Sequence, residues 1–263
     1  MSAEAPVSRD RQQLASQINI LDFTFLKYGQ KVIEAKASVS PEGYIEATIK
    51  VAQTDSEATD SAGLIVLNAY GNCGRILGSG AADLLKTEYA DVRSTTVRIP
   101  VSNIISKTVK LNVLYCPMGI AEYKSNRLGG PHALGIEEDT QTVNAATDAL
   151  AKNIVVFEES FEQAGIRVAS TGCTTDGEGF LNVFCELHTV DGGPIATRRE
   201  IVARAYSADG FIRSSSKIAL LENRFPGYAS LIFELPASGI ANEVKELRLL
   251  AQSDYYPKDA IYL

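Results

Sequence analysis

The sequence predicts an all-β chain of two tandem β-sandwiches related by internal duplication, with short helices in the N-terminal segment and in the linker between sandwiches. Three observations predict it: a long self-match, a period-two alternation of apolar residues, and regularly spaced turn residues. Shifted against itself by 136 residues, the chain aligns without a gap from Leu14 to Ile104. Ile18 then meets Ile154, Phe25 meets Phe161, Gly29 meets Gly165 and Gly74 meets Gly210. The run Ile65-Val66-Leu67-Asn68-Ala69-Tyr70 meets Ile201-Val202-Ala203-Arg204-Ala205-Tyr206, and Ile99-Pro100 meets Leu235-Pro236. Solenoid repeats run to roughly 20–50 residues and cannot bury their own face, so a repeat this long is a whole domain.

Each copy divides into short strands bounded by turn signals, the pattern of a sandwich or barrel. In the first copy they are expected near 18–26, 31–38, 44–52, 64–71, 75–80, 92–99 and 107–115, and in the second at the same offset. Alternation is clearest in the third strand, where Ile45, Ala47, Ile49 and Val51 match Leu181, Val183, Cys185 and Leu187. Glu46, Thr48 and Lys50 point the other way, as a period of two requires. Turns at Pro41-Glu42-Gly43, Asp176 to Gly179, Asp191 to Pro194 and Asp209-Gly210 supply the positive-φ positions that hairpins need. The domain plan is an N-terminal segment 1–17, a sandwich 18–116, a linker 117–152, a second sandwich 153–252 and an aromatic tail 253–263. Thr140 is the expected N-cap of a linker helix running to Ala151, and residues 9–17 occupy the matching place before the first copy.

The 263-residue length suits two domains, and the net charge of −7 argues against nucleic acid or an anionic membrane surface as partner. Residues 1–14 hold no apolar run of signal-peptide type, and no segment approaches the ~20 apolar residues of a membrane span. A cytoplasmic location is therefore the expectation, with a surface-associated mature form as the alternative.

The second copy resembles FxLYD-type, immunoglobulin-like domains of bacterial proteins. The resemblance rests on Gly179-Phe180-Leu181-Asn182-Val183, on Ile201 to Gly210, and on Phe225-Pro226-Gly227-Tyr228 running into Phe233-Glu234-Leu235-Pro236. The first copy keeps Tyr70 to Gly74 and Ile76 to Gly80 but has Ala90-Asp91 in place of the Pro-Gly turn. Both copies lack the Asp that usually follows the family's tyrosine, having Gly71 and Ser207 there. The resemblance implies an immunoglobulin-like sandwich without a fixed activity, a common part of cell-surface or assembly proteins; fold alone does not carry function.

No catalytic, cofactor-binding or metal-ligating residue is singled out, and a non-enzymatic protein is expected. Cys173 and Cys185 stand opposite Ala37 and Ile49, so they read as small core hydrophobes, while Cys73 lies in a turn and Cys116 at a strand end. His132 sits in the linker and His188 at a strand end, neither beside a nucleophile. Asp176-x-Glu178 is the best calcium candidate, but Pro41-Glu42-Gly43 forms the same turn in the first copy, which favours a plain hairpin.

Differences between the copies carry more functional signal. On the outward side of the third and sixth strands the first copy has Thr48 and Thr96, and the second has Phe184 and Ile232. Such a patch marks contact either with a partner or with the other sandwich and the linker helix. The tail adds Tyr255, Tyr256 and Tyr262, as a docking peptide or a strap along its own domain. The expected role is a protein-interaction or structural module that binds a protein partner or forms a homo-oligomer. The alternative is a module for carbohydrate or another surface polymer, disfavoured by the absence of Trp.

Overall fold

A computed structural model describes residues 14, 16–54, 63–84, 92–117, 123, 141–176, 180–222, 225–236 and 242–253. The first half holds β1 (Ile18–Ile20), α1 (Asp22–Leu26), β2 (Gln30–Val39), β3 (Ile45–Gln53), β4 (Gly63–Tyr70), β5 (Ile76–Leu84), β6 (Val92–Ile99), β7 (Val101–Ser102) and β8 (Lys110–Cys116). After β9 (Gln141–Thr142) and α2 (Ala145–Lys152) come β10 (Ile154–Val156), α3 (Glu158–Gln163), β11 (Ile166–Asp176) and β12 (Phe180–Thr189). The chain then forms β13 (Arg199–Ser207), β14 (Ile212–Leu220), β15 (Tyr228–Pro236) and β16 (Val244–Ser253).

In the first half, a sheet of order β1-β8-β4-β5 faces a sheet of order β2-β3-β6. In the second, β10-β16-β13-β14 faces β15-β12-β11, and β9 and β7 extend that second sheet. The registers coincide at the 136-residue offset: Ile18 pairs with Leu111 as Ile154 pairs with Leu247, both in parallel. Even the irregularities recur, at Ala69/Tyr70 and Ala205/Tyr206 and at Val32/Glu34 and Val168/Ser170. Each sandwich buries the apolar side of the alternation. Ile45, Ala47, Ile49 and Val51 meet Ile65, Leu67, Leu111 and Val113 in the first, and Val183, Leu187 and Phe233 meet Ile201, Ala203 and Leu249 in the second.

Three local expectations need correction. The strand expected over 18–26 stops at Ile20, and residues 22–26 turn into α1. Leu21, Thr24, Phe25 and Tyr28 share one helical face, on which Thr24 and Phe25 are buried. Gly29, at φ 61°, ends the turn in the left-handed region, and Gly165, at φ 70°, does the same after α3. The linker helix starts at Ala145, because Asn144 rather than Thr140 is its cap: the Asn144 side chain accepts from the Ala146 and Thr147 amides at 2.9 and 3.0 Å. Thr140 lies outside the described residues, as do residues 9–13 and 15 of the N-terminal segment. Finally, β5 runs on to Leu84, well past the expected end at 80.

Candidate functional site: the junction between the sandwiches

Strand β4 is buried on both faces. Its odd-numbered residues Ile65, Leu67 and Ala69 fill the first sandwich, which leaves Leu64, Val66, Asn68 and Tyr70 on the outside. That outer face receives the outer face of β11, β12 and β15. Leu64, Val66, Leu114 and Cys116 join Phe184 and Ile232 in one continuous apolar cluster. Phe184 and Ile232 are cross-strand partners, as are Thr48 and Thr96 in the first half, so the third and sixth strands are neighbours in both sandwiches. At 0% and 1% exposure, Phe184 and Ile232 are covered by the other sandwich and are closed to an outside partner in this arrangement.

A polar network sits inside this apolar contact. Glu186, almost fully buried, accepts hydrogen bonds from the Tyr70 and Tyr228 hydroxyls, and from Asn68 Nδ2 at 3.3 Å. Asn68 Nδ2 also donates to Ser230 Oγ at 3.0 Å, Asn68 Oδ1 accepts from Ser79 Oγ at 2.6 Å, and Tyr123 closes on Ser79. Asn112 donates to the Tyr70 oxygen at 3.1 Å and in turn accepts from Asn19 at 2.9 Å. Burial, reinforced by the Glu186 charge, pushes the Tyr70 and Tyr228 hydroxyls far above the usual phenol range. They remain protonated donors, which a buried carboxylate requires. Asn182, buried on the same face of β12, has no hydrogen-bond partner for its amide among the described residues.

Backbone contact completes the junction. A Cβ built on Gly172 would lie 1.9 Å from the Ile76 carbonyl oxygen, so only glycine lets the start of β5 rest on β11. Beside it, Ser170 Oγ donates to the Gly74 carbonyl at 2.6 Å. Below the junction, Phe23 of α1 stands edge-on to Tyr228 at 5.8 Å, and Lys27 donates to the Pro226 carbonyl at 2.6 Å.

The other sequence candidates fall elsewhere. Cys173 and Cys185 are buried, and burial pushes the Cys173 thiol up to about 12 and the Cys185 thiol upward as well. Such thiols are poor nucleophiles at neutral pH. Cys116 lies in the junction cluster and Cys73 is exposed in its turn. His188 Nδ1 lies 3.1 Å from the Thr189 carbonyl. The Asp176 carboxylate accepts the Phe180 amide at 2.8 Å, bracing its hairpin, while residues 177–179 lie outside the described set. His132, Tyr255, Tyr256 and Tyr262 also lie outside it. Among the described residues no group of three His, Cys, Asp or Glu side chains could hold a metal ion, and no helix is long and apolar enough to cross a membrane.

Fold and junction together define an all-β protein of two stacked sandwiches. No family model matches the chain, and no curated protein matches it. Among solved structures, it is similar to a calcium-binding mutant of Bacteroides uniformis β-glucuronidase 2, at 11% identity and a TM-score of 0.19 over 77% of this chain. It is also similar to a β-glucuronidase of glycoside hydrolase family 2, at 10% identity and a TM-score of 0.18 over 80% of the chain. In both cases the chain spans 24% of the other protein's length, and likenesses this weak carry no argument about activity.

Proposed function

We propose that this chain is a non-enzymatic interaction or structural module, a pair of immunoglobulin-like sandwiches that arose by internal duplication and that works through protein contacts as a subunit of a larger assembly. The observation that carries this reading is the junction. Tandem domains ordinarily move against each other unless their interface is large and apolar. Here the outer side of β4 and β8 is given up to contact with β11, β12 and β15, and Asn68, Tyr70, Glu186, Tyr228 and Ser230 are hydrogen-bonded to one another within it. The chain is thereby a spacer of fixed geometry that presents unlike outer faces at its two ends. The pairing of third with sixth strand supports the immunoglobulin-like assignment, as do the FxLYD-type motifs.

Native mass spectrometry of the protein isolated from its own source tests the proposal. A stoichiometric protein partner or a defined homo-oligomer is the expected result. A bound glycan would support a carbohydrate-binding module, and a bare monomer would reject the assembly role.

A further inference from the structure

We infer that the Arg204 and Arg248 pair on the outer side of β13 and β16, with the exposed β13–β14 hairpin tip, docks another protein's β-sheet face, one that presents a carboxylate and a strand glycine. This inference rests on the interaction-module reading and names its surface. The template is internal. In the first half, the β4–β8 face holds the Glu186 carboxylate with Asn68, Tyr70 and Asn112 around it, and the β4–β5 tip rests Ile76 on Gly172. At the 136-residue offset, the second half places Arg204, Tyr206 and Arg248 in those three positions. Asn68 and Asn112 face each other across β4 and β8, as Arg204 and Arg248 do across β13 and β16.

Two features of this second face call for an occupant. Arg204 is half-buried and has no hydrogen-bond or ion-pair partner among the described residues, although Arg248 is held by Glu246 and stacks 4.0 Å over the Tyr206 ring. The Arg204 guanidinium, directly across from Arg248, suits a carboxylate better than the Asn68 amide at the matching place in the first half. At the tip, Phe211 and Ile212 are 66% and 51% exposed, whereas Ile76, the first-half counterpart of Ile212, is 1% exposed. An exposed apolar pair at the point where the matching tip docks is an anchor awaiting its seat.

A second copy of this chain does not provide that seat. The face of its first half that would correspond to β11 and β12 carries Lys36 where Gly172 stands and Lys50 where Glu186 stands. Both lysines are exposed and paired with Glu34. Lys36 obstructs the tip and Lys50 opposes Arg204, so head-to-tail stacking of identical chains is blocked and the occupant is a different protein.

The test builds the missing seat into the full chain. Lys36→Gly, Thr48→Phe, Lys50→Glu and Thr96→Ile replace exposed residues of the first half with their second-half counterparts. In sedimentation velocity over a concentration series, the fourfold variant should self-associate at least about tenfold more tightly than wild type. Adding Arg204→Glu should return it to the wild-type profile. A fourfold variant that stays monomeric overturns the inference, and so does association indifferent to Arg204→Glu. A natural partner retained equally by wild type and Arg204→Glu would also overturn it, while leaving the interaction-module reading intact.

Discussion

Glu186 occupies the position that Lys50 holds in the first half, so a buried acid in the junction stands where the first half has an exposed base. Its three donors come from both sandwiches, so the carboxylate is a bond between halves rather than within one. Removing one hydroxyl with Tyr70→Phe should cost about 1.5–3 kcal/mol, the usual range for a hydrogen bond to a charged group, measurable by urea unfolding. The pH dependence has a definite sign. The folded-state pKa values of Tyr70 and Tyr228 are raised above the unfolded value of 10.0, so the stability they confer is fully present below pH 10 and is lost as pH rises beyond it. Each tyrosine should add a slope of about 1.4 kcal/mol per pH unit in that alkaline range. The Tyr70→Phe, Tyr228→Phe double variant should flatten the slope; an unchanged alkaline profile would disprove the linkage.

At the scale of elements, most strands were legible because two aligned copies expose the period-two pattern twice. The helices α1 and α3 were less so. Gly29 and Gly165 align in the sequence, but five- and six-residue helices give too few turns for a 3.6 period to compete with alternation. The two-residue strands β7 and β9 carry no pattern, and their pairing is set by the chain's path between sandwiches. The junction was half legible. Phe184 and Ile232 stand out against Thr48 and Thr96, yet burial depends on the facing sheet, which pairwise comparison of copies does not supply. The Asn68, Tyr70 and Glu186 network is not legible in the sequence, although the Lys50-to-Glu186 exchange is, because its members come from strands distant in sequence. Gly172 tests the contact of elements directly. Gly172→Val forces a side chain into the Ile76 carbonyl and should cost about 1–3 kcal/mol, read as a lower unfolding midpoint. The same valine at position 36 should be nearly neutral, since Lys36 is exposed there.

For the whole molecule, the junction makes two sandwiches behave as one. Phe184→Asp places a charge in the centre of the apolar contact and should separate the halves while each sandwich keeps its own core. Small-angle scattering should then show a larger radius of gyration, with far-ultraviolet circular dichroism preserved. Unchanged dimensions would mean that the contact does not hold the halves together.

The parallel pairs β1·β8 and β10·β16 set how the molecule bears a load. In each sandwich the first strand lies beside the last and runs in the same direction, so the chain enters at one end of the pair and leaves at the other. Tension along the chain therefore pulls these strands lengthwise past each other. Their hydrogen bonds must yield together, instead of peeling one at a time as they would in an antiparallel pair opened from its end. Two such clasps lie in series along the chain, and each opposes its lengthwise extension by shear.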